Sequence, residues 1–442
     1  MERKDKRPEN NNSNARNRDN KSDSGLKIID LDNESLEGPE GRSPKEKKHL
    51  KKRYIVLLTV VGLMIASYLV FVFAPIPFVR KWRDIYIETA MSTNSHKWLA
   101  TAFIPGFIVD EVMDRVRAEQ ARQKELESKW DEEIAEVEEE EEVDVFKAFF
   151  EKYWELDSPS FRSYLDQHSI DTEEKLNNLY FTDLSGDLGV MTSKGDAVLS
   201  CNIPNSTLLL EVKGADYVGK MAVVKDPSLV CQGKSSYLGS RGQIIDDFGN
   251  NYDALLAINA SGFKDVDGHG SGGQINGSLV IDGEDYGTID TAKLKFYGMK
   301  FDNKFYIANP WNVDVSEYRW GMQFFPALVV DGECVVAGTY GMGIQPRTTV
   351  GQAQDGTFIM LIVDGRQVGY SLGCTMEECA NQMIKYGVYQ AANFDGGSSS
   401  IMWFEGAQIT RSSSPSGFGR YLPNAIYIKK VTTSSAVSTS TP

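Results

Sequence analysis

Residues Tyr54 to Ala74, YIVLLTVVGLMIASYLVFVFA, run without one charged side chain. At 1.5 Å rise per residue, about twenty apolar residues in a helix cross a hydrocarbon core of about 30 Å, so the stretch predicts a single membrane span. A signal peptide has a shorter apolar region at the extreme N-terminus and a small-residue cleavage site; here some fifty residues precede the run, and Pro75 and Pro77 follow it. An uncleaved anchor is expected. Arg42, Lys45, Lys47, Lys48, Lys51, Lys52 and Arg53 stand before the span, against Arg80, Lys81 and Arg83 after it. The positive-inside rule then places the N-terminus in the cytoplasm and the C-terminal part outside, as a single-pass protein of the cell membrane.

The rest of the chain divides by texture. Met1 to Arg53 is rich in Asn, Asp, Ser, Lys and Arg and holds too little apolar surface to offset ordering entropy, which predicts a disordered cytoplasmic tail. Residues 75–179 read as a helical stalk and neck. Within them, Asp110 to Val143 is a long helical candidate with a thin apolar stripe and paired charges, closing on Glu138 to Glu142, and shorter helices are expected at Val145 to Leu156 and Ser160 to Leu179. From about Tyr180 the chain changes to short β-branched runs punctuated by glycine. The net charge of -15 belongs mostly to the whole portion after the span and argues against nucleic acid as a partner, since a phosphate-binding face needs a basic excess. Thr432 to Pro442 predicts a second disordered tail.

Three segments carry an apolar run into Asp-Gly: Leu279 to Glu284, Leu328 to Glu333 and Leu361 to Arg366. Each predicts a hairpin turn. One helix is expected, Thr375 to Tyr386, with Thr375 and Glu378 as a capping box, a single apolar face and Gly387 as its stop. The fold class that follows is α+β: residues 180–431 as a mixed β-sheet of many short strands with this helix packed on one face. The five cysteines fit no zinc spacing, and Cys374 and Cys379 are too far apart to bridge if both lie on one helix. All five fall outside the membrane on this topology, so disulfides are possible, with at least one cysteine free or intermolecular because the number is odd. For most of them the expected role is as small buried residues.

Polar residues gather in four turns. Val388 to Phe404, VYQAANFDGGSSSIMWF, places Asn393, Asp395, Gly396, Gly397, Ser398 and Ser399 between two apolar runs. Adjacent glycines let successive N–H groups converge on an anion, although Asp-Gly is equally a plain hairpin signal. Ala257 to Phe263 ends a buried strand on Asn259. Gln345 to Gly351 sets Arg347 before Thr348 and Thr349, a cation with hydroxyl donors suited to one phosphate, or an edge-strand arginine paired with a carboxylate. Asp265 to Gly273 is acidic and holds His269, the single histidine after residue 168. A zinc site of several imidazoles is thereby excluded. Asp265 and Asp267 leave a divalent cation open as a cofactor without the spacing of an EF-hand, against a solvated turn.

AINASGF, PRTTVG, LIVDGR and NFDGGSSS in this order resemble the phosphodiester glycosidase family, over roughly Ala197 to Lys430 and ending on RYLPNAI from Arg420. Where the family usually has a third glycine, Ser398 stands here. The resemblance implies hydrolysis of a sugar-1-phosphodiester, such as a GlcNAc-1-phosphodiester, at the anomeric carbon. Its leaving phosphate has a second pKa near 6 and departs without strong acid help, so cations and N–H donors matter more. On that reading Arg347, Arg366 and the backbone of Gly396 and Gly397 hold the phosphate, with Thr348, Ser398 and Ser399 beside it. Asp395 and Asp364 supply the carboxylates for the oxocarbenium-like centre. His269 or Asp267 is a further proton-transfer candidate, and Asn259 and Asn393 bind the sugar.

Two functions remain in view. One is an anchored, outward-facing hydrolase of phosphorylated glycan or glycopolymer in the cell envelope or exopolysaccharide. The other is a non-catalytic module of a membrane-associated surface assembly that binds the same phosphoglycan; a purely structural surface protein ranks behind both. Asn259-Ala260-Ser261 matches a glycan acceptor pattern inside the expected site, which suits a bacterial surface better than a secretory pathway. The oligomeric state stays open.

Overall fold

A computed structural model describes residues 44–93, 96–130, 145–265 and 270–431. The expected tails up to residue 43 and from residue 432, the Glu138 to Glu142 run, Asp267 and His269 lie outside the described residues. The chain forms two compact units, the first ending at Tyr68 and the second beginning at Leu69.

A helix spans Pro44–Phe73, so the last ten residues of the expected tail are helical rather than disordered. Within it, Lys51–Phe73 is long and apolar enough to cross a membrane. Ile55, Leu58 and Leu63 are each more than 60 % exposed, whereas a helix of this composition in a water-soluble core would bury them.

In the second unit all strand pairs among the described residues are antiparallel. They form one nine-stranded and two five-stranded sheets, not the single mixed sheet expected. The reason is that, among the described residues, the helical crossovers join strands that run parallel but are separated by an antiparallel strand. The helix Ile245–Asn251, not expected from the sequence, carries the chain from strand Val230–Lys234 to strand Ala254–Asn259 across Asn424–Lys429. The helix Met376–Lys385 carries it from strand Phe358–Val363 to strand Val388–Asn393 across the intervening Arg347–Ala353. Thr375 caps this second helix, accepting from Glu378 N while the Glu378 carboxylate accepts from Thr375 N, as the capping box predicts.

Both faces of the nine-stranded sheet are covered. Strand Phe358–Val363 alternates between them: Ile359, Leu361 and Val363 pack with Met376, Ala380 and with Phe149, Phe161 and Leu165 from the helices Val145–Lys152 and Pro159–Gln167. Phe358, Met360 and Ile362 pack with Ile258, Met402, Ile426 and Trp320 of the smaller sheets. A strand buried on both sides reads as FIMLIV, a continuous apolar run.

Two Asp-Gly turns are hairpins of the expected kind, with Asp282 and Gly283, and Asp331 and Gly332, all at positive φ. The third is not. Asp364 and Gly365 are not in the left-handed region; Arg366 is, at φ 60°. Strand Phe358–Val363 already has a neighbour on each side, Val218–Val224 and Arg347–Ala353, so no hairpin partner can follow it.

The long helix expected over Asp110 to Val143 instead spans Gly106–Gln123. Gln123 is buried and ends it by bonding to sheet backbone: its Nε2 donates to Ala327 O (3.1 Å) and Val335 O (2.9 Å), and its Oε1 accepts from Ala327 N (3.0 Å). The chain then runs along the strand Phe305–Ala308, with Ser128 N donating to Ile307 O and Trp130 Nε1 to Phe305 O. An exposed charge pattern shows a helix's free face but not where its last side chain finds a buried partner.

Replacing Thr375 by Ala removes one acceptor at the helix N-terminus and should destabilise the folded domain by about 1 kcal/mol in urea unfolding. Thr375→Ser should restore most of it.

Candidate active site

The expected residues leave one end of the nine-stranded sheet together. Arg347 pairs with Val363 and Thr349 with Asn393, so Arg347, Asp364 and the Asp395 loop emerge side by side. Strand Ala254–Asn259 of a smaller sheet ends at the same place, where Asp395 N donates to Ala260 O (3.0 Å).

Asn259 is the knot between them. It is completely buried; its Nδ2 donates to Asp395 O (2.6 Å), and its Oδ1 accepts from Thr348 Oγ1 (2.8 Å) and Ile401 N (3.1 Å). Thr348, equally buried, also reaches Ser400 Oγ (3.3 Å). Both side chains hold the loops, and neither faces solvent. A fully buried Asn259 also cannot carry the glycan that its sequence pattern suggests.

Gly396 and Gly397 do different work from that expected. Gly397 N donates to Pro346 O (2.9 Å), so that donor is engaged within the protein, while the Gly396 N–H lies close enough to the Asp395 carboxylate to lower its pKa. What the loop needs is space: Gly397 has φ 62°, and a Cβ there would stand 3.1 Å from Arg366 Nη2. The loop thus lets a guanidinium lie against its backbone.

Arg366 is an exposed residue, but its guanidinium is partly buried and held among the described residues by one neighbour, Gln345, whose Oε1 accepts from Arg366 Nε (2.8 Å) and Nη2 (2.5 Å). Behind it Arg347 is fully buried, donating to the carbonyls of Cys374 (3.2 Å), Met342 (3.3 Å) and Gly343. Neither arginine has a carboxylate at ion-pair distance among the described residues. Desolvation, and then the charge of Arg347, lower the Arg366 pKa; desolvation also lowers that of Arg347. Two like charges held together without a counter-ion favour an arriving anion.

The carboxylates separate into two groups. Asp395 is only partly exposed; enclosure by protein atoms pushes its pKa up to about 7, and nearby Asp265 adds to this, against the opposing effects of the Ser399 hydroxyl, Arg420 and the Gly396 N–H. Arg420 Nη1 donates to Asp265 Oδ2 (3.0 Å) and Ser398 Oγ (3.3 Å). Asp364 is raised to about 6 by burial, but its oxygens are taken: they accept from Arg411 N (3.0 and 3.1 Å) and Tyr370 Oη (3.0 Å). Asn393 turns away into the core, where its Nδ2 donates to Phe325 O (2.8 Å).

Asp395, Arg366 and Ser398 therefore form the accessible face of the site, with Arg347 and Ser399 buried behind. Asn259, Thr348, Asp364 and Asn393 bind protein groups. Asp265 and Arg420 complete the face, and Gln345 is buried beneath Arg366. Asp265 was expected only as a ligand of a divalent cation, and Gln345 and Arg420 were not singled out as site residues by the sequence, although Arg420 opens the RYLPNAI run. A cleft of about 350 Å³, lined by Lys295, Tyr297, Trp311, Phe325 and Tyr340 among others, contains none of these groups. Chemistry, not size, locates the site.

Residues 252–429 match the family described as phosphodiester glycosidase, and the chain carries a domain of that family there. Among solved structures, the catalytic domain of zebrafish N-acetylglucosamine-1-phosphodiester alpha-N-acetylglucosaminidase, auto-inhibited by its pro-peptide, is 17 % identical, with 51 % of this chain and 82 % of that one covered at a TM-score of 0.40. A Burkholderia pseudomallei protein is 13 % identical (48 % and 74 % covered, TM-score 0.39), and a hypothetical protein from Synechocystis 14 % (51 % and 62 %, TM-score 0.38). No curated protein matches. The family assignment rests on the sequence match alone.

Asp395 has a folded pKa above its ordinary 3.8, so its contribution to stability is complete below that value and is lost as pH rises to about 7. Wild type should therefore lose stability relative to Asp395→Asn across that window in urea melts. Parallel curves would contradict the raised value.

Proposed function

We propose that the chain is a membrane-anchored hydrolase that cleaves a sugar-1-phosphodiester, of the GlcNAc-1-phosphodiester type, in extracellular cell-envelope glycopolymer or exopolysaccharide. The observation that carries the reading is the pair Arg366 and Arg347, without an ion-pair partner among the described residues, beside a carboxyl poised near pH 7. Family membership of residues 252–429 supports the reaction class.

In this mechanism Arg366 takes the phosphate oxygens, and Arg347 raises the positive potential behind it. Because the departing phosphate needs little protonation, Asp395 is free to act as a base on the water that attacks the anomeric carbon. Ser399 and Arg420 orient the carboxylate, and Ser398 sits where a sugar hydroxyl can reach it. Asn259, Thr348, Asp364 and Asn393 keep the loops in register, and His269 stays a candidate for proton transfer. Lys51–Phe73 supplies the anchor, with the basic flank before it on the cytoplasmic side.

The test is release of reducing sugar from a model GlcNAc-1-phosphodiester by the full-length protein in detergent. kcat/KM should rise with pH through about 7, following ionisation of Asp395, and Asp395→Asn should remove both the limb and most of the rate. Arg366→Ala should lower kcat/KM by roughly 100-fold, the scale for losing one preorganised charge donor. Binding of the phosphodiester without turnover would replace this reading by the non-catalytic phosphoglycan module.

A further inference from the structure

Cys374 and Cys379 are not both in the helix Met376–Lys385. Thr375 is its N-cap, which makes Cys374 the residue before the cap and Cys379 the fourth residue of the helix. Apolar residues at these two positions pack against each other and fix the angle at which a chain enters a helix. Here both are thiols. They are 0 % and 1 % exposed, and their Sγ atoms stand 2.8 Å apart, against about 2.05 Å in a disulfide. The condition under which they would be too far apart to bridge, that both lie on one helix, is not met: Cys374 lies outside the helix, where the backbone turns its side chain back over the first turn.

Backbone pairing connects this contact to the site. Cys374 N donates to Gln345 O (3.1 Å), and Gln345 N to Cys374 O (3.3 Å). The same Cys374 carbonyl accepts from Arg347 Nε, and the Gln345 side chain holds Arg366. Both site cations thus take their positions from the residue pair that begins at Cys374.

We propose that Cys374 and Cys379 are a covalent modification site: an intrachain disulfide that clamps the start of this helix to the Gln345–Arg347 segment and so positions the two guanidinium groups. Cys201, Cys231 and Cys334 remain single thiols. The oxidant is a disulfide donor such as glutathione disulfide. One cysteine thiolate attacks it and releases one glutathione thiolate as a mixed disulfide forms; the second cysteine thiolate then displaces the other glutathione. Two protein thiols and one glutathione disulfide become one protein disulfide and two glutathione thiols.

The positioning role rests on the phosphodiester glycosidase reading above, whereas the cross-link does not. Full-length protein in detergent is brought to equilibrium with a glutathione buffer rich in the oxidised form, from both the reduced and the oxidised state. It is then quenched in acid, unfolded, alkylated and digested with trypsin. The peptide from Gln367 to Lys385 should carry no label and two hydrogens fewer than its reduced form, while the peptides holding Cys201, Cys231 and Cys334 are labelled. Two labels on that peptide from both starting states would overturn the cross-link.

With the cross-link present, dithiothreitol should raise KM for the sugar phosphodiester severalfold in wild type and leave a Cys374→Ser/Cys379→Ser protein unchanged. An unaltered wild-type KM would overturn the positioning role. Lack of turnover in every state would count against the hydrolase reading and leave the mass result standing.

Discussion

The arrangement of this protein's site depends on one buried amide. Asn259 ends a strand of one sheet, yet its three hydrogen bonds go to Thr348 in the nine-stranded sheet and to both sides of the Asp395–Ser400 loop. An amide offers acceptor and donor atoms in one rigid plane, so a single side chain can fix three backbone segments. In a site without solvent each bond resists loss, because an unpaired partner would stay buried. The loop that carries Asp395 is consequently attached to two sheets at once.

From that attachment follows the electrostatics. The loop's glycines let Arg366 approach its backbone, while Arg347 is enclosed by carbonyl oxygens from Met342, Gly343 and Cys374. Carbonyls solvate a guanidinium without cancelling its charge. The carboxylate nearest the loop, Asp395, is kept from full ionisation by enclosure, and Asp265 is occupied with Arg420. The charges of Arg366 and Arg347 are therefore left without a carboxylate partner among the described residues, which is what the proposed phosphodiester substrate would need.

Much of this was legible along the chain. The apolar strands, the capping box around Thr375 and the four polar turns each have a local cause, and local causes act within a few residues. The run FIMLIV gives both faces of a strand to hydrophobic neighbours, and the structure fills both. Asp395, Arg366 and Arg347 could be found because their turns recur in a known order. Gln345 and Arg420 escaped selection because a glutamine beside proline and an arginine before tyrosine look like ordinary surface residues until something is placed next to them.

By itself the sequence determined the apolar helix, the β-rich body, the helix with its cap, and which turns are polar, since each depends on backbone preference and on neighbours within hydrogen-bond reach along the chain. Only the tertiary structure decided which polar groups are spent inside and which face outward. Asp364 and Asp395 both follow an apolar strand and both precede glycine, but one meets Arg411 and Tyr370 while the other stays partly open. Partners distant in the chain make that difference, because a carboxylate's role is set by what surrounds it in space.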